Sequence, residues 1–254
     1  MPGLEPWAVA SLASLGLIGG IGITAIGPGG VLATIALFAL TGLNAAEVAG
    51  TAIVTHIGTG VLATAVYLRS GQLRERHTRR DGAVLAVAAA GGTPLGVLLN
   101  LVVPERLFGL LLAVLIVAVA VLVWLRERRE PSRDRRHPRL WVVAVIGTAV
   151  AAASGVVGVG GPMLTVPLLV ALGVPVLSAL AAAQAQSIVI AVVGSLGYLT
   201  AGAIDWRLAA LVGVPELIGV VLGWVIAQRV PTRALKHALV VTLLATAPYL
   251  AFGG

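Results

Sequence analysis

A glycine-rich interruption of an apolar run occurs twice in this chain, and each time a short apolar stretch follows it. The first copy is Gly27-Pro28-Gly29-Gly30, and the second, 131 residues further on, is Gly158-Val159-Gly160-Gly161-Pro162. At the same offset Gly16 pairs with Gly147, Thr34 with Thr165, Gly42 with Gly173, Tyr67 with Tyr198 and Gly71 with Gly202, so the chain is internally duplicated. A helix broken by glycine leaves backbone N–H and C=O groups without partners. Hydrocarbon tolerates such groups only where protein or a water-filled cavity satisfies them. A duplicated break therefore points to a transport site.

The surroundings of the breaks are those of a membrane protein. Of 254 residues, 59% are hydrophobic and 11% charged, with a mean hydropathy of +1.04, which excludes an ordinary soluble domain. The apolar mass comes from Ala, Val, Leu and 32 Gly, a mixture that allows helices to approach closely in lipid. Alternating strand patterns are absent, so the spans are helical. The expected fold is an all-α integral membrane protein, a polytopic helical bundle of two inverted-topology repeats. Each repeat carries a Gly-broken short helix, with about 8 to 10 hydrophobic segments in all. There is no cysteine, which excludes disulfides and thiolate metal sites. The stretch Met1 to Trp7 lacks Lys and Arg, so the first helix is expected to remain in the mature protein. Of the 17 basic residues 16 are Arg, and with the Ala/Gly/Val bias this suggests, through codon usage, a GC-rich bacterial genome, so the membrane is expected to be the bacterial cytoplasmic membrane.

Ten segments are read from the apolar runs, at 7–26, 29–42, 44–70, 82–101, 105–125, 140–156, 161–173, 176–201, 206–229 and 232–252. The second and seventh are too short for a full span of about 20 residues and are expected to be half-helices. Basic residues cluster in three connections, Arg69 to Arg80, Arg126 to Arg139 and Arg229 to Lys236, which places those connections in the cytoplasm. Membrane topology explains these clusters without a nucleic-acid partner. The turn at Val102 to Pro104 is then outside, whereas its counterpart at Arg229 to Arg233 is inside. That counterpart is aligned through Gly92/Gly219, Gly96/Gly223 and Pro104/Pro231. The two halves are thus expected to be inverted, with both termini extracytoplasmic. The division is residues 1–125 for the first transmembrane repeat, 126–139 for a basic cytoplasmic linker and 140–254 for the second repeat. Inverted repeats with broken helices are the architecture of secondary transporters. No Gly-Lys-Ser/Thr is present for a nucleotide-binding loop, so transport is secondary or driven by a partner.

The candidate site follows from the breaks. Half-helices beginning at Gly30 and Gly161 present unpaired N–H groups and the positive end of a dipole, and converging they form an anion site. The substrate-binding candidates are Gly27, Gly29, Gly30, Gly158, Gly160, Gly161 and Pro162, with Thr34 and Thr165 one turn further on. Close helix crossing is the competing role for the glycines, and back-bonding to the preceding turn that for the threonines. No Lys or Arg falls in the middle of any membrane segment, so a bound anion relies on dipoles, hydroxyls and His56. The third segment carries Glu47, Thr51, Thr55 and Thr59 on one face, with His56 beside the stripe. Asn44 and Glu47 have the spacing of a capping box. Thr51, Thr55 and His56, with Gln184 and Ser187 in the second half, are further binding candidates, interhelical hydrogen bonding being the alternative. Glu216 is the acid at mid-span depth, aligned with Ala89 in the first half; it and His56 are the proton-coupling candidates, a protonated packing carboxyl being the other reading. No catalytic set, cofactor motif or metal-ligand spacing is present.

The run Gly158 to Leu169 (Gly-Val-Gly-Gly-Pro-Met-Leu-Thr-Val-Pro-Leu-Leu), its degenerate copy from Gly27, and the Tyr198 to Trp206 stretch ending in Gly-Ala-Ile-Asp-Trp resemble the TauE/SafE family of sulfite and organosulfur anion exporters. The resemblance covers nearly the whole chain. It implies export of sulfite, sulfoacetate or a related small anion from the cytoplasm, without enzymatic activity. Pro162 after Gly161, Pro28 within the first break, and Ala36 where the second copy has Pro167 depart from the family pattern. The competing readings are a membrane assembly or regulatory factor without flux, and a metal-cation permease using Glu216 and His56.

Overall fold

The computed structural model describes residues 4–25, 27–128 and 138–227, and every regular element among them is helical. Nine α-helices follow in chain order: α1 (Pro6–Ala25), α2 (Val31–Leu40), α3 (Ala45–Arg69), α4 (Arg76–Asn100), α5 (Glu105–Arg128), α6 (Leu140–Val157), α7 (Pro162–Ala171), α8 (Val176–Thr200) and α9 (Trp206–Ala227). Of these, α1, α3, α4, α6, α8 and α9 are long and apolar enough to cross a membrane. The short helices α2 and α7 have 10 residues each. At 1.5 Å per residue each reaches about 15 Å, half of a hydrocarbon core. The expected segment at 232–252 and most of the basic linker lie outside the described residues. The main boundary difference is α4, which begins at Arg76 rather than at residue 82. Apolarity marks only the part of a helix in lipid, and α4 runs one and a half turns beyond it.

Local chemistry sets the ends. At the start of α3 the Glu47 amide donates to Asn44 Oδ1 (3.0 Å) and the Asn44 amide to Glu47 Oε2 (2.9 Å), the reciprocal bonds of a capping box. At the start of α9, Asp205 Oδ1 accepts from the Arg207 and Leu208 amides at 2.9 and 3.0 Å. Glycine is required at both breaks. Gly27 and Gly158 have φ of 112° and 72°, values that side-chain-bearing residues rarely adopt. After the first break the chain folds back so closely that a Cβ on Gly29 would overlap Gly19, Gly22 and Ile23 of α1.

The duplicated sequence is mirrored in the packing. Helix α1 lies against α9, α6 lies against α4, and α3 packs on α8 between those pairs. Backbone approach makes both outer pairs tight. Gly16 faces the carbonyl of Val212 and Gly219 that of Leu17, while across the other pair Gly92 faces the carbonyl of Thr148 and Gly155 that of Thr93. Small residues at such contacts allow extensive van der Waals packing where no hydrophobic force acts between helices. The equivalent tyrosines make equivalent bonds as well: Tyr67 Oη donates to Thr24 O (3.4 Å) and Tyr198 Oη to Gly155 O (2.6 Å), and residues 24 and 155 are themselves 131 apart.

Candidate functional site

The two breaks meet at His56. This residue is in the middle of α3 and is 1% exposed, and a Cβ on Gly30 would stand 2.6 Å from its Nε2. A Cβ on Gly160 would stand 2.8 Å from its Cδ2 and 2.9 Å from Ser187 Oγ. The ring is therefore held between the glycines of both breaks. Ser187 is the residue of α8 equivalent to His56 at the 131-residue offset, so the central α3–α8 pair presents one polar group from each half. The breaks also touch each other: Thr34 Oγ1, on α2, donates to Gly158 O at 3.2 Å, and Gly27 lies under Pro162 O and Val166.

These elements enclose a cavity lined by Ile23, Gly27, Gly30, His56, Thr59, Gly160, Pro162, Met163 and Ser187. Its volume, about 10 Å³, is at the lower limit for one water molecule, so this conformation is closed around the site. His56 Nε2 is buried without a hydrogen-bond partner. On the other side of the ring, Nδ1 lies 3.0 Å from Thr55 Oγ1 and 3.6 Å from Glu216 Oε1. Glu216 is fully buried, and neither of its carboxyl oxygens has a hydrogen-bond partner. Its position is set by α9: Gly213 packs on the Thr55 methyl, and the Glu216 carbonyl seats against Gly20 of α1. A carboxyl group, an imidazole and two glycine breaks thus form one layered site. Among the described residues no third His, Cys, Asp or Glu joins His56 and Glu216.

A model of the sulfite exporter TauE/SafE family matches residues 12–250, a range that takes in both breaks, His56 and Glu216. The chain belongs to this family. As a TauE/SafE protein it is a multi-pass membrane transporter, and curated relatives carry names of the same kind. It is similar to probable membrane transporter protein YdhB of Bacillus subtilis, with 26% identity over 74% of this chain and 80% of the relative. It is also similar to a probable membrane transporter protein of Xylella fastidiosa strain 9a5c, with 28% identity over 91% of this chain and 88% of the relative. A second from strain Temecula1 is 27% identical over the same shares. No solved structure matches the chain significantly.

In this TauE/SafE chain the cavity wall includes six of the residues expected from sequence, Gly27, Gly30, His56, Gly160, Pro162 and Ser187. Gly29 instead supports the fold-back of the chain onto α1, Gly158 packs on Ala49, and Gly161 packs on Gln186 and Ile190. The threonine hydroxyls are engaged by protein: Thr34 by Gly158 O, Thr165 by Gln186 Oε1 (2.6 Å), and Thr55 by Ala52 O (2.9 Å). Thr51 Oγ1 accepts from the Asp205 amide (2.9 Å), away from His56, and Gln184 Nε2 donates to Ile23 O (3.4 Å). The wall also includes Ile23, Thr59 and Met163. Thr59 was visible in the polar stripe of α3, whereas Ile23 and Met163 are apolar residues in apolar helices and carry no local signal. A wider depression of about 440 Å³ lies beside the start of α3 and the α8–α9 turn, and its carboxylates, Glu47 and Asp205, are both engaged in helix caps.

Proposed function

We propose that this chain is a secondary transporter that exports a small sulfur-containing anion, such as sulfite, sulfoacetate or a related organosulfonate, across the bacterial cytoplasmic membrane. It works by alternating access of two inverted halves around the glycine breaks, with both termini extracytoplasmic. The observation that carries this reading is the placement of Gly30 and Gly160 against one buried imidazole. Backbone exposed at a helix start offers N–H donors and about half an elementary charge, and glycine lets a ligand reach it. Two such starts at one point favour an anion over a cation. The pairing of α1 with α9 and of α6 with α4, together with the matching tyrosine bonds, supports two halves that move against each other. The family name and the sulfur oxyanion class agree with a ligand of this size and sign.

Purified protein in liposomes tests the proposal. Saturable, counterflow-competent flux of sulfite, thiosulfate or a sulfonate, lost on Gly160→Val in a variant that still folds, is the expected result. Absence of flux for every anion would favour a membrane assembly factor, and competition by divalent cations but not by anions would favour a metal permease.

A further inference from the structure

The His56–Glu216 pair has no task in a carrier that holds its anion by helix starts alone. An ion entering a site this closed gives up hydration worth several kcal/mol or more. Two half-charges of dipole face it, and the ionised form of Glu216 opposes it. The nearest group able to supply a full positive charge is the His56 imidazole. On α3, Tyr67 donates to Thr24 O, and on α8, Tyr198 donates to Gly155 O. The other side chains reaching the cavity from α1, α7 and α8 are Ile23, Pro162, Met163 and Ser187, and none of them titrates.

The hydrogen bonds show where a proton is needed. Thr55 Oγ1 lies 2.9 Å from Ala52 O, a carbonyl that can only accept, so the hydroxyl hydrogen points there. The same oxygen, 3.0 Å from His56 Nδ1, then accepts from that nitrogen, and this assigns the neutral ring its Nδ1–H tautomer. In that tautomer Nε2, buried and without a partner at the cavity wall, presents a lone pair, which repels an anion. A proton on Nε2 reverses the polarity: the cavity gains an N–H donor and a positive ring, while Nδ1–H remains directed to Thr55 and Glu216.

We infer that the anion and one proton occupy the site together, the proton on His56 Nε2, with Glu216 acting as the positioning residue that holds the charged ring. This rests on the transporter reading above and gives it a stoichiometry: one proton moves with each anion, so export runs down the anion's own concentration gradient and an inward proton gradient opposes it. The balance is simple. The empty site holds a neutral ring and the loaded site an imidazolium and the anion, with the protonation of Glu216 the same in both, so a monovalent substrate moves without net charge and a divalent one carries a single negative charge.

Thiosulfate and methanesulfonate are suitable probes because neither takes up a proton near neutral pH, so any proton that moves belongs to the protein. With the purified full chain in weak buffer and a pH indicator, anion addition is expected to consume about one proton per anion bound. In liposomes, methanesulfonate flux is expected to follow a pH gradient and to ignore a potassium–valinomycin potential. His56→Gln is expected to abolish proton uptake and to flatten the pH dependence of binding at least tenfold. Glu216→Gln is expected to keep proton uptake but move the binding profile to more acid pH, a change that a purely structural role would not produce. Anion binding by the wild type with no proton uptake, or with proton release, overturns the inference and leaves the transporter reading intact. Absence of binding and flux for every anion overturns the transporter reading itself. Thermal unfolding of both variants separates loss of coupling from loss of fold.

Discussion

Gly30→Ala is the most economical test of the geometry at the breaks. An added Cβ would lie 2.6 Å from His56 Nε2, about 0.8 Å inside the 3.4 Å at which ordinary van der Waals contact begins. The ring has little room to retreat, because Nδ1 is already 3.0 Å from Thr55 and 3.6 Å from Glu216, and the cavity of about 10 Å³ cannot hold a methyl group. Overpacking of this kind typically costs about 1–3 kcal/mol. Placed between a ligand and its backbone donors, the same overlap opposes anion binding, and a loss of about 1.4 kcal/mol is tenfold in affinity. Sulfur-oxyanion flux into liposomes is therefore expected to fall by about tenfold or more, with unfolding lowered modestly. Gly91→Ala is the control: it lies within α4 with nothing within 4 Å of the added atom, and alanine there favours the helix by up to about 1 kcal/mol. Wild-type flux in Gly30→Ala alongside an unchanged Gly91→Ala would show that the anion does not approach the chain at this break.

Two further outcomes follow from the paired halves. Tyr198→Phe removes a 2.6 Å bond to Gly155 O and Tyr67→Phe a 3.4 Å bond to Thr24 O, so thermal unfolding should drop more for the former, by about 1–3 kcal/mol where a buried carbonyl loses its donor. The chain has no cysteine, so exposed single replacements report sidedness directly: Ser70→Cys should react with impermeant maleimide from the cytoplasmic side and Thr200→Cys from the opposite side. Labelling of both from one side would rule out inverted halves.

The breaks, the short helices after them and the paired tyrosines were legible because duplication repeats a signal that would be weak in one copy. The capping box at Asn44 and Glu47 was legible because it is local chemistry at fixed spacing. The contact between His56 and Glu216 was not legible in any local pattern, although the sequence already named the two together as proton-coupling candidates and as the ligands of the alternative metal permease. They are 160 residues apart, and their contact depends on Gly213 seating on Thr55 and Gly20 on the Glu216 carbonyl, which no local pattern encodes. The stripe of α3 was likewise legible as a stripe but not as a division of labour. Successive turns carry Thr51 to the α8–α9 turn, Thr55 to the imidazole and Thr59 to the cavity. The apolar wall residues Ile23 and Met163 are set apart from their neighbours only by where the broken helices end.

Direct localisation of a bound anion tests whether the two breaks and His56 form one anion site. Selenate, a heavy analogue of the sulfur oxyanions, can be placed by its anomalous scattering in crystals of the full chain. One strong site is expected between Gly30 and Gly160, within hydrogen-bond distance of His56 Nε2 and of backbone N–H groups at the breaks. Selenium at the basic connections, with none beside His56, would contradict that arrangement.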